Sequence, residues 1–559
     1  MKKNILIGGE AGQGLQTIAS ILGKTLFREG YEVFTTKNYM SRVRGGHNFI
    51  KVRFGNEEIT ASSKKLDLIV ALNQETIDKH QEDLKEEGKI LSEKEHEENQ
   101  NIKINAAEIA ADINPKGKNT VFIGAVLKLF GLELDKCKEV INENFSKKKE
   151  VIQDNYELLK AGYESVEITE ECVEVEENDE RIYIDGNTAI GYGAVSAGIK
   201  YYSAYPMSPS TGIMNYVASK QEDLGIVVEQ AEDEIAAINM ALGASYGGIR
   251  TMTGTSGGGL ALMSEAVGLA GITETPLVIA EVQRPGPATG LPTRTEQGDL
   301  LFAVHVSQGE FPLMVMAPKD QKDAFYQTFR AHNIAEKYQI PVVILSDQYL
   351  GDATASIEEY DFSDLEIKRN LVNKENYDSK NYNRYEITED GISPRAYPGL
   401  LDGETILADS DEHDKHGYIV EDADKRVEMA DKRMKKLDKL IDEDLLEPEY
   451  YGKDEIDYLF LSWGSTSGVL KETIDLLQKD GIKAGLLSFN DVWPLPEDKL
   501  KKLAADNVKI IDVENNSTAQ FAKLIRAETG IEVDNKILKY DGRPFTADEV
   551  YNRFKSEVK

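Results

Sequence analysis

The reading of this chain turns on Ala204-Tyr205-Pro206-Met207-Ser208-Pro209-Ser210-Thr211. Three more motifs follow: Glu229-Gln230-Ala231-Glu232-Asp233-Glu234-Ile235-Ala236-Ala237, then Gly254-Thr255-Ser256-Gly257-Gly258-Gly259, then Val282-Gln283-Arg284-Pro285-Gly286-Pro287. Each comes after a short apolar run: Tyr201-Tyr202-Ser203-Ala204, Gly225-Ile226-Val227-Val228, Thr251-Met252-Thr253 and Leu277-Val278-Ile279-Ala280. These runs read as strands of one α/β unit, so the motifs fall at successive strand ends. They lay down, in order, a hydroxyl turn, a carboxylate at a helix start, a glycine loop and a lone arginine.

The same unit begins near Ile182 and takes two more strands from Leu313-Met314-Val315-Met316 and Val342-Val343-Ile344-Leu345-Ser346. Upstream, residues 4 to 55 read as strand, glycine turn, helix, strand, basic loop and strand. The signals are Ile5-Leu6-Ile7, the helical spacing of Leu15, Ala19, Leu22 and Leu26, and Tyr31-Glu32-Val33-Phe34-Thr35. Leu66 to Leu72 is a buried-type strand and Val121 to Phe130 an apolar helix, and this alternation predicts a parallel sheet. Residues 165 to 181 are dominated by glutamate and read as a linker. Residues 375 to 456 are mostly polar, with one helical stretch from about Lys425 to Leu445 whose face carries Val427, Met434, Leu437 and Leu440. They read as an extended connector lying over the other domains. A last α/β unit opens at Asp457-Tyr458-Leu459-Phe460-Leu461-Ser462-Trp463.

Bulk composition narrows the function classes. At 559 residues the chain needs several cores. No run of ~18 apolar residues occurs, so no membrane span is expected. The start, Met1-Lys2-Lys3-Asn4-Ile5-Leu6-Ile7-Gly8-Gly9, runs into a glycine turn too early for a signal peptide and reads as a first strand. A net charge of −33 disfavours nucleic-acid binding, which needs clustered cations, and otherwise serves solubility. Two cysteines, Cys137 and Cys172, cannot hold an iron–sulfur cluster, and read as reduced structural thiols of a cytoplasmic protein.

In Gly8-Gly9-Glu10-Ala11-Gly12-Gln13-Gly14-Leu15-Gln16-Thr17, glycines after a strand let backbone N–H groups approach a phosphate at the next helix's positive end. A nicotinamide fingerprint would need glycine at Thr17 and an acid where Thr36-Lys37 stands, so that cofactor is not expected. The loop Ser41-Arg42-Val43-Arg44-Gly45-Gly46-His47-Asn48 adds Arg42 and Arg44, which would bind the same anion or pair with surface carboxylates. His47 reads as structural, with no acid or nucleophile recognisable near it.

The central motifs have the parts to hold an aminopyrimidine and a small carboxylate. Thiamine diphosphate needs a buried carboxylate on N1′ of its aminopyrimidine, so that N4′ can remove the C2 proton. Glu234, at the start of a helix with Ile235, Ile238, Ala241 and Leu242 on one face, would serve; its other face, rich in Ala and Gly, suits a subunit interface. An acid there can also be simple dipole compensation, and Glu229 and Glu232 compete for the role. Ser208 sits on a turn stiffened by two prolines, while Ser210 or Thr211 would cap the next helix. Arg284, after an apolar strand, would grip a substrate carboxylate or an internal acid, with Arg294 a second candidate. No Gly-Asp-Gly with a following asparagine occurs, and no CxxC. The metal–diphosphate half of such a site and an electron wire are therefore expected on another chain, and no metal site on this one.

These residues resemble the α subunit of 2-oxoacid:ferredoxin oxidoreductases with the γ domain fused at the N-terminus, over nearly the whole chain. Further matching stretches are Asp390-Gly391-Ile392-Ser393-Pro394-Arg395, Glu412-His413-Asp414, Asp431-Lys432-Arg433, Val513-Glu514-Asn515-Asn516 and Gly542-Arg543-Pro544-Phe545. The set looks nearest the 2-oxoglutarate type. The resemblance implies a multidomain α/β protein. Its parts would be a Rossmann-like γ domain (1–165), an acidic linker (166–181), a pyrimidine-type thiamine diphosphate-binding domain (182–374), a connector (375–456) and a transketolase C-terminal-like domain (457–559). It implies that a 2-oxoacid and CoA give acyl-CoA, CO₂ and reduced ferredoxin. Glu234 would bind N1′, Ser208 and Arg284 the substrate, and Gly12, Gly14, Arg42 and Arg44 would help enclose CoA. A β subunit would supply Mg²⁺, the diphosphate contacts and a [4Fe–4S] cluster, in an (αβ)₂ assembly. Ser208 stands where the family more often has threonine, and Gly258 where proline is common. Two other readings are a non-catalytic binding scaffold of the same fold and an aryl-2-oxoacid oxidoreductase subunit.

Overall fold

The computed structural model describes residues 1–41, 45–94, 101–176, 180–375, 382–504 and 508–558. Its strands, numbered in chain order, form three sheets, and the chain divides into two compact units.

The first unit holds residues 1–184 and 352–359, with a short piece at 546–548. Its sheet contains β1 (Lys2–Glu10), β2 (Glu32–Asn38), β3 (His47–Gly55), β4 (Leu66–Ala71), β5 (Leu84–Ser92), β6 (Asn101–Lys103), β7 (Arg181–Asp185) and β14 (Thr354–Glu358). The order is β6-β5-β4-β1-β3-β2-β14-β7. The expectation of a parallel sheet is corrected here. β1, β4, β5 and β6 run parallel, but β3 pairs antiparallel with both β1 and β2, and β2 antiparallel with β14. The cause is local: the loop at 39–46 is too short for a crossover helix and returns the chain as a hairpin. The helices Leu15–Arg28 and Lys118–Leu129 bury Ile18, Leu22, Val121 and Leu127 on this sheet's core. Residues 165–176, expected as part of a linker, lie in irregular backbone against the unit. Thr169 N–H donates to Leu129 O, and the Tyr31 hydroxyl to Val173 O.

In the second unit, β8 (Tyr201–Ala204), β9 (Val227–Gln230), β10 (Thr251–Thr255), β11 (Leu277–Gln283), β12 (Met314–Met316), β13 (Pro341–Asp347) and β18 (Asp491–Trp493) form one sheet. Their order is β18-β12-β13-β11-β10-β8-β9; all are parallel except β18. β11 and β13 are buried throughout, which is why they read as unbroken apolar runs. A third sheet has the order β15-β17-β16-β19-β20, from β15 (Glu449–Gly452), β16 (Tyr458–Trp463), β17 (Ala484–Phe489), β19 (Lys509–Glu514) and β20 (Asn535–Leu538). One apolar core joins the two: Leu260, Val315 and Val343 share it with Trp463, Phe489 and Phe521.

The expected single helix near 425–445 is two, Ala423–Met434 and Lys436–Glu443, meeting at Lys435. They are clamped by buried charge. Lys432 and Lys436 both contact Glu274, at 2.5 Å, and all three side chains are fully buried. Arg384 donates to the carbonyls of Thr273 and Glu274. A parallel cluster ties Arg250, Arg369 and Arg395 to Glu336. Neither set of pairings can be read from the sequence, because the partners lie some 30 to 160 residues apart.

Candidate functional site

In the second unit the chain leaves β8 toward β9 on one side and β10 on the other. Open α/β sheets bind ligands outside the carboxyl ends of their strands at such a reversal. All four motifs sit there, because the parallel register puts Ala204, Gln230, Thr255 and Gln283 at one edge.

Asp233 caps the helix Glu234–Tyr246 by accepting from Ala236 N–H at 2.7 Å. This fixes Glu234 in the first turn, where its carboxylate faces inward: the residue is 3% exposed and Oε1 has no hydrogen-bond partner. Glu229 and Glu232 are exposed, so of the three acids only Glu234 is placed as a buried carboxylate. Against it lies the triglycine start of the helix Gly257–Ile272. A Cβ on Gly259 would collide with the Thr255 hydroxyl and come within 2.8 Å of Glu234 Oε1. Gly258, in contrast, has room for a side chain.

The Arg284 guanidinium donates to the backbone carbonyl of Ser208 at 2.6 Å. Burial pulls its pKa below the ordinary value, and Glu234 is near enough to oppose that pull. Arg284 therefore stands between Ser208 and Glu234 at these strand ends. Ser210 and Thr211 do not cap the following helix: both hydroxyls donate back to Met207 O, tightening the turn that presents Ser208. Arg294 is held by its own loop, donating to Thr293 O and packing beside Gly542. An orphaned buried carboxylate oxygen facing a glycine cradle is what an aminopyrimidine nitrogen bearing a proton would satisfy. The residues present thus fit the ring end of thiamine diphosphate.

In the first unit, Gly12 and Gly14 take φ of +93° and +74°. Gly14 is the N-cap of the helix Leu15–Arg28, with no side-chain cap, so its first N–H groups face a cleft of about 430 Å³. Lys37, Asn38 and Asn48 also line it. Arg42 and Arg44 lie outside the described residues. His47, expected to be structural with no acid or nucleophile near it, meets His80 in a buried Nε2–Nε2 contact of 2.9 Å. Burial and the neighbouring His47 push the His80 pKa down to about 4. Sequence reasoning missed this pair, and missed a buried acid, Glu281, with the half-buried Asp299 next to it, beside the central site.

The class that this fold and site define is an α/β subunit with a carboxylate-bearing pocket open at the ends of its parallel strands. Comparison with known proteins narrows it. Family models match residues 192–432 (pyruvate flavodoxin/ferredoxin oxidoreductase, thiamine diphosphate-binding), 4–165 (pyruvate ferredoxin/flavodoxin oxidoreductase) and 456–550 (pyruvate:ferredoxin oxidoreductase core domain II). The 2-oxoacid:ferredoxin oxidoreductase subunit alpha of Sulfolobus sp is 34% identical over 98% of this chain and 96% of that protein. The 2-oxoglutarate synthase subunit KorA of Methanothermobacter marburgensis is 33% identical over 67% of this chain and 98% of that subunit. The solved 2-oxoglutarate:ferredoxin oxidoreductase from Magnetococcus marinus, with 2-oxoglutarate, coenzyme A and succinyl-CoA bound, superposes with a TM-score of 0.93. It is 33% identical, and all of both chains is covered. The chain belongs to the 2-oxoacid:ferredoxin oxidoreductase family, as a subunit of the alpha type. No helix among the described residues is long and apolar enough to cross a membrane.

Proposed function

We propose that this subunit takes part in the CoA-dependent oxidative decarboxylation of a 2-oxoacid, with 2-oxoglutarate the favoured substrate. One 2-oxoacid, one CoA thiol and two oxidised ferredoxins give acyl-CoA, CO₂, two reduced ferredoxins and a proton. The observation that carries this reading is the unpaired, buried Oε1 of Glu234 in its glycine cradle. Thiamine diphosphate, when bound, supplies the carbon nucleophile and electron sink that decarboxylation of a 2-oxoacid requires. Glu234 holds the proton at the ring nitrogen. Arg284 binds the substrate carboxylate by charge-assisted hydrogen bonds. Ser208 orients the keto group. In the first unit, Gly12, Gly14, Arg42 and Arg44 hold a CoA phosphate at a helix N-terminus.

A β subunit completes the site with Mg²⁺, the diphosphate contacts and a [4Fe–4S] cluster, in an (αβ)₂ assembly. The face beside the pocket supports this: Ile235, Met240, Tyr246 and Leu262 are exposed apolar side chains on two adjoining helices. We place the enzyme in the cytoplasm, a setting that suits free Cys137 and Cys172, whose thiols burial pushes up to about 12. The test assembles the chain with its β partner, thiamine diphosphate, CoA and ferredoxin, and profiles 2-oxoacids. CoA- and thiamine-dependent ferredoxin reduction is expected, with 2-oxoglutarate giving the highest kcat/KM. Turnover by the isolated chain, or none by the complex with any 2-oxoacid, would sink the proposal.

A further inference from the structure

Next to the site lies a pair of acidic side chains that the reading above leaves idle. Glu281 stands within β11, fully buried, and neither of its carboxylate oxygens meets a hydrogen-bond donor. Its neighbour is Asp299, whose carboxyl lies within hydrogen-bonding reach of it. Two carboxylates cannot hydrogen-bond to each other without a proton, and a buried unpaired charge costs several kcal/mol. The proton therefore stays. Burial, reinforced by Asp299, holds the Glu281 pKa well above the usual carboxylate range, and burial raises that of Asp299.

Among the described residues packed around it, no cation takes its place. The residues level with Glu281 are Thr255 on β10 and Leu345 on β13, neither of which titrates. Asp347 on β13 is taken up by Ser465, Thr295 and the N–H of Leu350. On the helix Gln321–Tyr338, Glu336 belongs to Arg250 and Arg369, and His332 is kept neutral by burial beside those arginines. On the helix Gly257–Ile272, Glu265 is exposed. Asp299 in turn acts on Glu296, half-buried, which burial and Asp299 raise to about 7.

The pair touches the site through glycine. A Cβ on Gly257 would collide with the Asp299 carboxylate, and one on Gly259 would meet Glu234 Oε1 at 2.8 Å. The triglycine start of this helix is thus packed between Asp299 on one side and Glu234 on the other. The Asp299 N–H also donates to Gln283 Oε1 at 3.0 Å, which links the pair to the strand end bearing Arg284.

We propose that Glu281 and Asp299, sharing one proton, are positioning residues for the thiamine-binding carboxylate: they seat the triglycine turn against Glu234, and loss of the shared proton unseats it. The proposal rests on the role given to Glu234 above. It adds an alkaline limit on catalysis that belongs to a pair touching neither substrate nor cofactor. Above that limit two negative charges sit side by side, one of them fully buried, and they relax by moving apart, which displaces Gly257 and the turn behind it.

Two measurements test it. Infrared difference spectroscopy on the chain alone reads the proton: the wild type is expected to keep a protonated-carboxyl band at neutral pH that Glu281→Gln lacks. An unchanged band would overturn the pair whether or not thiamine diphosphate binds at Glu234. The second is the pH profile of kcat for the assembled complex. In Glu281→Gln the amide donates to Asp299 at every pH, so the alkaline limb should move up by about one pH unit or more. Glu281→Leu leaves Asp299 without a donor and should lower kcat on the order of ten- to a hundredfold, with KM for the 2-oxoacid nearly unchanged. Asp299→Asn reads the same limb should a Glu281 variant fail to fold. An alkaline limb that stays in place in both Glu281→Gln and Asp299→Asn overturns the positioning role.

Discussion

Arg284 donates to the backbone carbonyl of Ser208, linking the end of β11 to the turn after β8 over 2.6 Å. The bond uses Nη1 of the guanidinium. A substrate carboxylate arriving there would meet a side chain already aimed, with less rotamer freedom left to lose.

Arg284→Lys should therefore behave as a severe change. A lysine cannot hold Ser208 O and a carboxylate in one plane. Loss of hydrogen bonds to a charged group costs about 1.5–3 kcal/mol, so KM for the 2-oxoacid should rise roughly ten- to a hundredfold in steady-state assays of the complex.

Glu234→Gln keeps the size of the side chain and removes its charge. If the carboxylate works through the cofactor ring, kcat should fall at least about a hundredfold, with the complex still assembled by gel filtration. Turnover near that of the wild type would remove Glu234 from the mechanism.

Gly14→Ala addresses the first unit. The new Cβ would meet the Asn119 amide at a φ of +74°, where side chains are strained. The helix start should shift, raising KM for CoA while KM for the 2-oxoacid stays within about twofold, because strain at one backbone position costs about 1–3 kcal/mol locally.

Ile235→Glu places a charge on the exposed apolar face beside the pocket, where Ile235 is 51% exposed. Association with the β subunit should weaken at least about tenfold by titration calorimetry, since an unpaired charge would be buried there. Unchanged affinity would move the interface elsewhere.

Glu274 and Lys436 set a stability prediction with a definite sign. Burial draws the Lys436 amine down from 10.5 to about 7, against the pull of Glu274 and with the help of Lys432. Its value in the folded chain is thus lower than in the unfolded one. This contribution to stability is whole above pH 10.5 and declines as pH falls to about 7, below which it is constant. Burial pushes the Glu274 carboxyl up, yet Lys432, Lys436 and Arg384 hold it below its ordinary 4.5, so its contribution persists through neutral pH. Glu274→Gln should cost about 3–5 kcal/mol, read as a lower thermal midpoint, because two buried lysines lose their counter-charge. Lys436→Met should flatten the midpoint's dependence on pH between 7 and 10.5.

Much of the second unit was legible in advance because its strands are buried on both faces. Buried parallel strands must be apolar throughout, and Leu277 to Gln283 shows this in any reading of the chain. Glu234 was legible as one candidate of three, because Asp233-Glu234 stands where a strand gives way to a helix. The antiparallel β3 has its signal in the shortness of the loop at 39–46, but the strand–helix alternation of the rest of the unit points the other way. The choice among Glu229, Glu232 and Glu234 was not legible, since burial belongs to the packed state. Ser210 and Thr211 look like caps in sequence, but their hydroxyls turn back to Met207.

The amino-acid sequence by itself determined the alternation of strands and helices, the four motifs at the strand ends and the family they point to. These rest on local patterns, a few residues long, that hydrophobic burial and helix capping impose. Only the tertiary structure decided which acids meet. Glu281 and Asp299, Glu274 with Lys432 and Lys436, and His47 with His80 are remote in the chain, and each pairing follows from how sheets and helices pack. A buried charge or shared proton is a property of the surroundings, and the surroundings exist only once the chain has folded.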